Sequence, residues 1–163
     1  MSSAVVIREM YASDARAFLE VHHAAVRGTA AKDYPRAVID AWAPLPVTRK
    51  AMDRVIANPH GELRLIAELN GEVVGIGAIV VAKSELRACY VRPDLGRSGI
   101  GSALVRELEE TARRNGLSEL VLDSSITAEP FYRACGYRAI GSAEHVLQCG
   151  QRMVCVKMRK RME

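Results

Sequence analysis

The sequence predicts an α/β protein with a mixed sheet, in which antiparallel strands are followed by one β-α-β crossover that lays two strands parallel. Three observations carry this. Leu63–Glu68 and Glu72–Val81 flank Asn70-Gly71, a dipeptide suited to the positive backbone angles of a tight hairpin turn. A third strand-like run, Glu85–Val91, leads through a glycine-rich turn into a segment whose Leu104, Val105, Leu108 and Ala112 form one apolar stripe. Asn115-Gly116 then stops that helix and Leu120-Val121-Leu122 reads as the next strand.

The remaining elements follow in order. Val5-Val6-Ile7-Arg8 suggests a first strand, and Ser13 or Asp14 caps a helix with Ala17, Phe18, Val21, Ala24 and Ala25 at helical spacing. Pro35 opens a second helix through Ala37, Val38, Ile39 and Trp42, which Pro44 and Pro46 interrupt. Thr48–Ala57 makes a third, before Asn58-Pro59-His60-Gly61 turns the chain. A short helix begins near Thr127, with Pro130 in its first turn and Gly136 at its end. Final strands are expected near Tyr137–Ile140 and Arg152–Met158, with Ser142–Gly150 as the loop between them. Gly75 and Gly77 lie inside a strand, where glycine marks a bulge or a close backbone approach. With no repeat and no linker, residues 1–163 are expected to form one domain.

Composition narrows the function classes. The chain is 49% hydrophobic and 26% charged with a formal charge of +4, normal for a globular protein with a mild preference for anions. Its basic residues are scattered except for Lys157, Arg159, Lys160 and Arg161, which read as a solvated strand end. A continuous basic stripe and paired aromatics are lacking, so nucleic acid is not the expected partner. Cys89, Cys135, Cys149 and Cys155 show neither metal-site spacing nor a secreted disulfide framework and read as reduced thiols of a cytoplasmic protein. No apolar stretch approaches the roughly 20 residues that span a bilayer, and the N-terminus lacks a basic region followed by an apolar run, so neither membrane insertion nor export is expected. His22 and His23 on the first helix, and His60 and His145 in expected loops, read as solvated or substrate-edge positions without a ligand cluster, and no metal is expected.

The glycine turn carries the chemistry. Glycines admit a ligand close to the backbone, and the unpaired amides of a first helical turn point at negative charge. Gly96 and Gly101 have the glycine spacing of a P-loop, but Ser102 and Ala103 stand where that motif needs lysine and a hydroxyl, so triphosphate hydrolysis is not expected. A dinucleotide fingerprint needs a third glycine where Leu104 stands.

Val91-Arg92-Pro93 followed by Gly96-Arg97-Ser98-Gly99-Ile100-Gly101 resembles the GCN5-related N-acetyltransferase (GNAT) superfamily, whose loop is commonly written Gln/Arg-x-x-Gly-x-Gly/Ala. Gly96 departs from its first position, although Arg97 beside it carries a similar charge. Downstream, Ser125-Ile126-Thr127-Ala128-Glu129-Pro130-Phe131-Tyr132-Arg133-Ala134-Cys135-Gly136-Tyr137 is similar to the family's Asn-x-x-Ala-x-x-Phe-Tyr-x-x-x-Gly-Phe, with serine for asparagine and tyrosine for phenylalanine at its ends. The likeness covers Val73 through Met158 and fits the N-terminal half loosely.

The resemblance implies a GNAT-like acyl-CoA N-acyltransferase fold and acetyl-coenzyme A as cosubstrate. Its pyrophosphate would lie on the loop of Gly96, Arg97, Ser98, Gly99, Ile100, Gly101 and Ser102, and its pantetheine arm along the backbone of Cys89, Tyr90 and Val91. Ser125, Ala128, Phe131 and Tyr132 would flank the arm. The implied reaction is direct attack of a primary amine on the thioester, with Tyr132 supplying the leaving-group proton. Glu85, which begins the strand leading to the loop, is the suggested base, with water as the alternative. Lys32, Asp33, Tyr34 and Trp42 fall where the resemblance places the acceptor-side wall. Acetylation of an aminoacylated RNA and a non-catalytic CoA-binding module are the alternative readings, and a homodimer through the C-terminal strands stays open.

Overall fold

A computed structural model describes residues 4–147 and 149–163. Seven strands form one sheet in the order β1-β2-β3-β4-β5-β7-β6. They are β1 (Val6–Glu9), β2 (Leu63–Leu69), β3 (Glu72–Val80), β4 (Glu85–Val91), β5 (Glu119–Ser125), β6 (Arg138–Val146) and β7 (Arg152–Arg161). Every neighbouring pair is antiparallel except β4 and β5. Helices α1 (Ala15–Thr29), α2 (Arg36–Trp42) and α3 (Arg49–Ala57) precede the β2–β3 hairpin, while α4 (Ile100–Arg114) makes the crossover and α5 (Glu129–Ala134) follows β5.

Local chemistry explains most of these boundaries. Asn70 and Gly71 both adopt positive φ, 54° and 81°, as a primed two-residue hairpin turn demands. The Thr48 hydroxyl accepts the Ala51 amide and caps α3, whereas the Asp14 carboxylate is taken by Arg8 and the Tyr11 amide and leaves α1 without a side-chain cap. On α1, Val21 and Ala25 face the core, but Ala24 is exposed.

Two apolar layers cover the sheet. On one face, Leu65, Ala67 and Leu86 of the strands pack with Ile100, Leu104 and Leu108 of α4 and with Tyr132. On the other, Val21 of α1 meets Ile66 and Ile76, and Val26, Tyr34, Val38 and Ile39 form a cluster with Met153 and Cys155 of β7. Gly75 and Gly77 are close-approach positions. A Cβ on Gly75 would come within 2.9 Å of Leu104 Cδ1, and one on Gly77 within 2.7 Å of Leu108 Cδ1, so their absence of side chains seats α4 on β3.

Three expectations require correction. Ser142–Val146 is strand, not loop: β6 runs to Val146, with Glu144 opposite Val154 and His145 opposite Met153. Of the expected loop, Gln148 lies outside the described residues. The basic tail is not simply solvated, because Lys160 Nζ donates to both oxygens of buried Glu109, at 2.9 and 2.8 Å, and to the Cys135 carbonyl at 2.8 Å. Nor is His23 solvated; it is buried, and His22 is partly buried against aromatic rings.

Candidate active site

The parallel pair β4/β5 opens almost as soon as it forms. Glu85 is opposite Val121, and the Val121 amide donates to Ser84 O at 2.8 Å, but no further register pair joins these strands among the described residues. On its other edge β4 stays bonded to β3, with Cys89, Tyr90 and Val91 opposite Gly77, Ile76 and Gly75. The β5-facing backbone of residues 89–91 therefore lines a gap between parting strands, where an extended ligand can pair as an added strand does.

The glycine turn stands at the end of this gap. Pro93–Leu95 form a single 3-10 turn, tied by Leu95 and Gly96 amides to the carbonyls of Arg92 and Pro93. Arg97 then adopts φ 63° and Gly99 φ 86°, and the first intrahelical bond of α4 runs from Ala103 to the Gly99 carbonyl. Among the described residues, the amides of residues 97–102 meet no backbone acceptor. A Cβ on Gly99 would meet nothing within 4 Å, so the space before this turn is open. The result is a run of N–H donors without backbone acceptors at the positive end of a fifteen-residue helix, suited to a phosphate group.

Gly101 has a different reason to be glycine. A Cβ there would come within 3.0 and 3.1 Å of the Phe131 ring, so Gly101 lets α5 pack against α4. Its carbonyl also receives a long contact from Cys89 Sγ at 3.8 Å. Burial pushes the Cys89 thiol up to about 12, which keeps it protonated at neutral pH.

The second segment folds beside the gap. Ser125 accepts the Ala128 amide at 3.1 Å, turning the end of β5 into α5. Phe131 and Tyr132 then stand with ring centroids 5.1 Å apart, and Tyr132 is 5.9 Å from Tyr137. Tyr132 is only 7% exposed and packs in the layer that Cys89 and Val91 join. Burial, with Cys89 and Tyr90 nearby, raises its phenol well above the ordinary tyrosine value. The ring is thus held as a neutral O–H donor near the strand gap.

Glu85 is not brought to the same point. Its carboxylate oxygens accept from Arg87 at 3.2 and 3.1 Å, and Arg87 also approaches Glu62 at 3.8 Å. It begins β4, four residues before Cys89, a separation of roughly 13 Å along a strand. Arg87 is the extra residue of a bulge, since Leu86 and Ala88 oppose the adjacent Ile79 and Ala78. The bulge ends the simple alternation of β4 and lets both Leu86 and Cys89 join the α4 layer.

Opposite Tyr132, across the sheet, is a group that sequence reasoning divided. Tyr34 and Trp42 are expected on the acceptor side, and His22 at a solvated or substrate-edge position. Its ring lies 4.7 Å from Tyr90, nearly perpendicular, and 6.3 Å from Trp42. The missed signal is that residues 18, 21, 22 and 25 share one helical face. Tyr34 Oη accepts the Ile126 amide at 2.8 Å and donates to the Val154 carbonyl at 2.7 Å, fastening the end of β5 to β7. His60 is exposed in a turn and His145 is exposed on β6. No group of three His, Cys, Asp or Glu side chains suited to a metal ion forms among the described residues. No helix of the described residues is long and apolar enough to cross a membrane.

Residues 30–162 match the family model described as an acetyltransferase (GNAT) domain. The chain belongs to the GNAT acetyltransferase family. The N-acetyltransferase YafP of Escherichia coli (strain K12) is 27% identical over 136 residues, covering 83% of this chain and 83% of YafP. A GCN5-related N-acetyltransferase structure from Rhodopseudomonas palustris aligns with TM-score 0.87 and 25% identity over 99% of this chain and 98% of that one. The structure of yncA from Salmonella typhimurium, solved with its cofactor acetyl-CoA, aligns with TM-score 0.69 and 21% identity over 98% of this chain and 95% of yncA. At that identity the likeness to yncA concerns the fold. The GNAT assignment agrees with the mixed sheet and its single parallel pair, and makes this protein an N-acetyltransferase.

Proposed function

We propose that this GNAT protein transfers the acetyl group of acetyl-CoA to a primary amine of a small molecule or peptide. The observation that carries this reading is the continuous row of unpaired amides at residues 97–102, facing open space at Gly99 and standing at the end of the β4/β5 gap. That combination fits a ligand with a pyrophosphate at one end and an extended, peptide-like arm at the other. The presence of acetyl-CoA in yncA, a protein of similar fold, supports the choice of ligand. Acetyl-CoA supplies the activated thioester.

In this reading the amides of residues 97–102 hold the pyrophosphate, and the β5-facing backbone of Cys89, Tyr90 and Val91 aligns the pantetheine arm. Ser125, already bonded to the Ala128 amide, shapes the turn beside the arm with Ala128 and Phe131. Tyr132 keeps its hydroxyl proton at neutral pH and donates it to the departing sulfur. Glu85 lies roughly 13 Å along β4 from Cys89 with its carboxylate held by Arg87, so water takes the ammonium proton. Most of the acceleration then comes from alignment of amine and thioester.

Gly99→Glu tests the reading. A Cβ at this position meets no protein atom within 4 Å, and the glutamate adds bulk and charge at the cradle, at a positive-φ position where any L-residue costs about 1–2 kcal/mol. The variant is expected to remain folded by circular dichroism and to lose at least 100-fold in CoA affinity by calorimetry. Retained affinity would refute the cradle assignment.

A further inference from the structure

We infer that His22, Trp42 and Tyr90 form the acceptor-binding wall and select an amine carried on a flat aromatic body, such as an arylalkylamine, over phosphorylated sugars and acidic peptides. The inference rests on the acetyl-transfer reading and adds the class of acceptor.

Three elements meet at this wall. His22 comes from α1, Trp42 ends α2 and Tyr90 lies in β4, within the stretch 89–91 whose backbone lines the gap. The rings are mutually edge-on: His22 to Tyr90 at 4.7 Å and 87°, Trp42 to Tyr90 at 6.4 Å and 69°, and Tyr34 to Trp42 at 5.8 Å and 77°. All three wall residues are only partly buried, so the cluster is not closed core. Tyr34 is a positioning residue, since its hydroxyl is spent on Ile126 and Val154 and links the wall to the end of β5. The wall thus stands on β4, on the face opposite Tyr132, and is tied through Tyr34 to Ile126 just after β5.

Its chemistry excludes charged bodies. The surrounding cluster is apolar, including Val38, Ile39, Leu147 and Met153. Arg27 pairs with Asp40 and bonds the Ala43 carbonyl, and Asp33 accepts from Thr127. Burial, followed by the neighbouring His23, pushes His22 down to about 3, so the imidazole is neutral and offers no counterion to phosphate or carboxylate. A flat apolar ring replaces water on such a surface at little cost and stacks edge-on or offset, and its amine can rest on a ring face. A phosphate there would lose its hydration without a cation to receive it.

Trp42 is the sole tryptophan, which gives a binding signal independent of turnover. The full-length protein is titrated with 2-phenylethylamine, an amino-sugar phosphate and a glutamate-rich peptide while its tryptophan emission is followed. Expected is a saturable emission change with 2-phenylethylamine at a dissociation constant at least tenfold below those of the other two. Trp42→Ala should raise the KM for 2-phenylethylamine at least tenfold without changing CoA affinity, and Trp42→Phe, which keeps a ring, should raise it less than threefold. Equal or tighter binding of the amino-sugar phosphate or peptide, or an unresponsive Trp42, would overturn the wall assignment. Binding of 2-phenylethylamine at Trp42 without thiol release from acetyl-CoA would uphold the wall and sink the primary-amine reading instead.

Discussion

Replacing Lys160 with methionine isolates Glu109, a buried carboxylate of α4. Lys160 spends its three ammonium protons on Glu109 Oε1, Glu109 Oε2 and the Cys135 carbonyl, and stands 5.6 Å from the Tyr137 ring. It therefore binds the middle of α4 to the end of α5 and to β7. Glu109 is 3% exposed, so Lys160→Met strands a charge that water cannot reach. Breaking a buried pair in this way costs about 3–5 kcal/mol, and the 26% exposure of the lysine side chain places the expectation near the lower end, about 3 kcal/mol. Loss of the carbonyl bond adds roughly 1 kcal/mol. Urea unfolding followed by circular dichroism should show a lower midpoint with an unchanged m-value. Glu109→Leu/Lys160→Met removes both charges and should return to within about 1 kcal/mol of the original stability, because apolar replacements of similar volume also end the desolvation penalty. A loss under about 1 kcal/mol for Lys160→Met, or a double variant no more stable than the single one, would refute the account of Glu109 as an uncompensated buried charge.

Two further outcomes concern the site. Tyr132→Phe keeps the ring packing against Phe131 and Tyr137 but removes the proton donor, so thiol release should fall at least tenfold while CoA affinity stays unchanged; equal turnover would remove Tyr132 from proton transfer. His22 contributes a pH dependence whose sign follows from its depressed folded pKa. Between pH 6.5 and about 3 the unfolded chain binds the extra proton, so stability is complete above pH 6.5 and is lost as the pH falls. Moving from pH 8 to 5.5 should cost the wild type about 1–2 kcal/mol more than His22→Gln in denaturant titrations, and parallel profiles would show that the imidazole charges freely in the folded protein.

Local signals made much of the fold readable. Asn70-Gly71 specifies its hairpin through two positive φ angles, Thr48 caps α3 through one hydroxyl, and Pro130 and Gly136 bracket α5, all within a few residues of chain. The β6 strand was less legible because its side chains are almost all exposed and show no apolar alternation; its extent follows from register with β7. Gly101 and Gly99 look alike in sequence, yet one makes room for Phe131 and the other faces open space. Glu85 could be placed at the start of the strand leading to the loop, but its ion pair with Arg87 and its distance from Cys89 depend on the bulged path of β4.

By itself the sequence determined the α/β class, the strand–glycine–helix order and the acetyltransferase family, because these rest on short-range periodicity, turn chemistry and two local motifs. Only the tertiary structure decided that β4 and β5 part immediately after Glu85, that Lys160 neutralises Glu109, and that His22 from α1 meets Tyr90 from β4 and Trp42 from α2. Those relations join residues up to 68 positions apart, and they arise from packing two helical layers onto a twisted sheet, which no local pattern encodes.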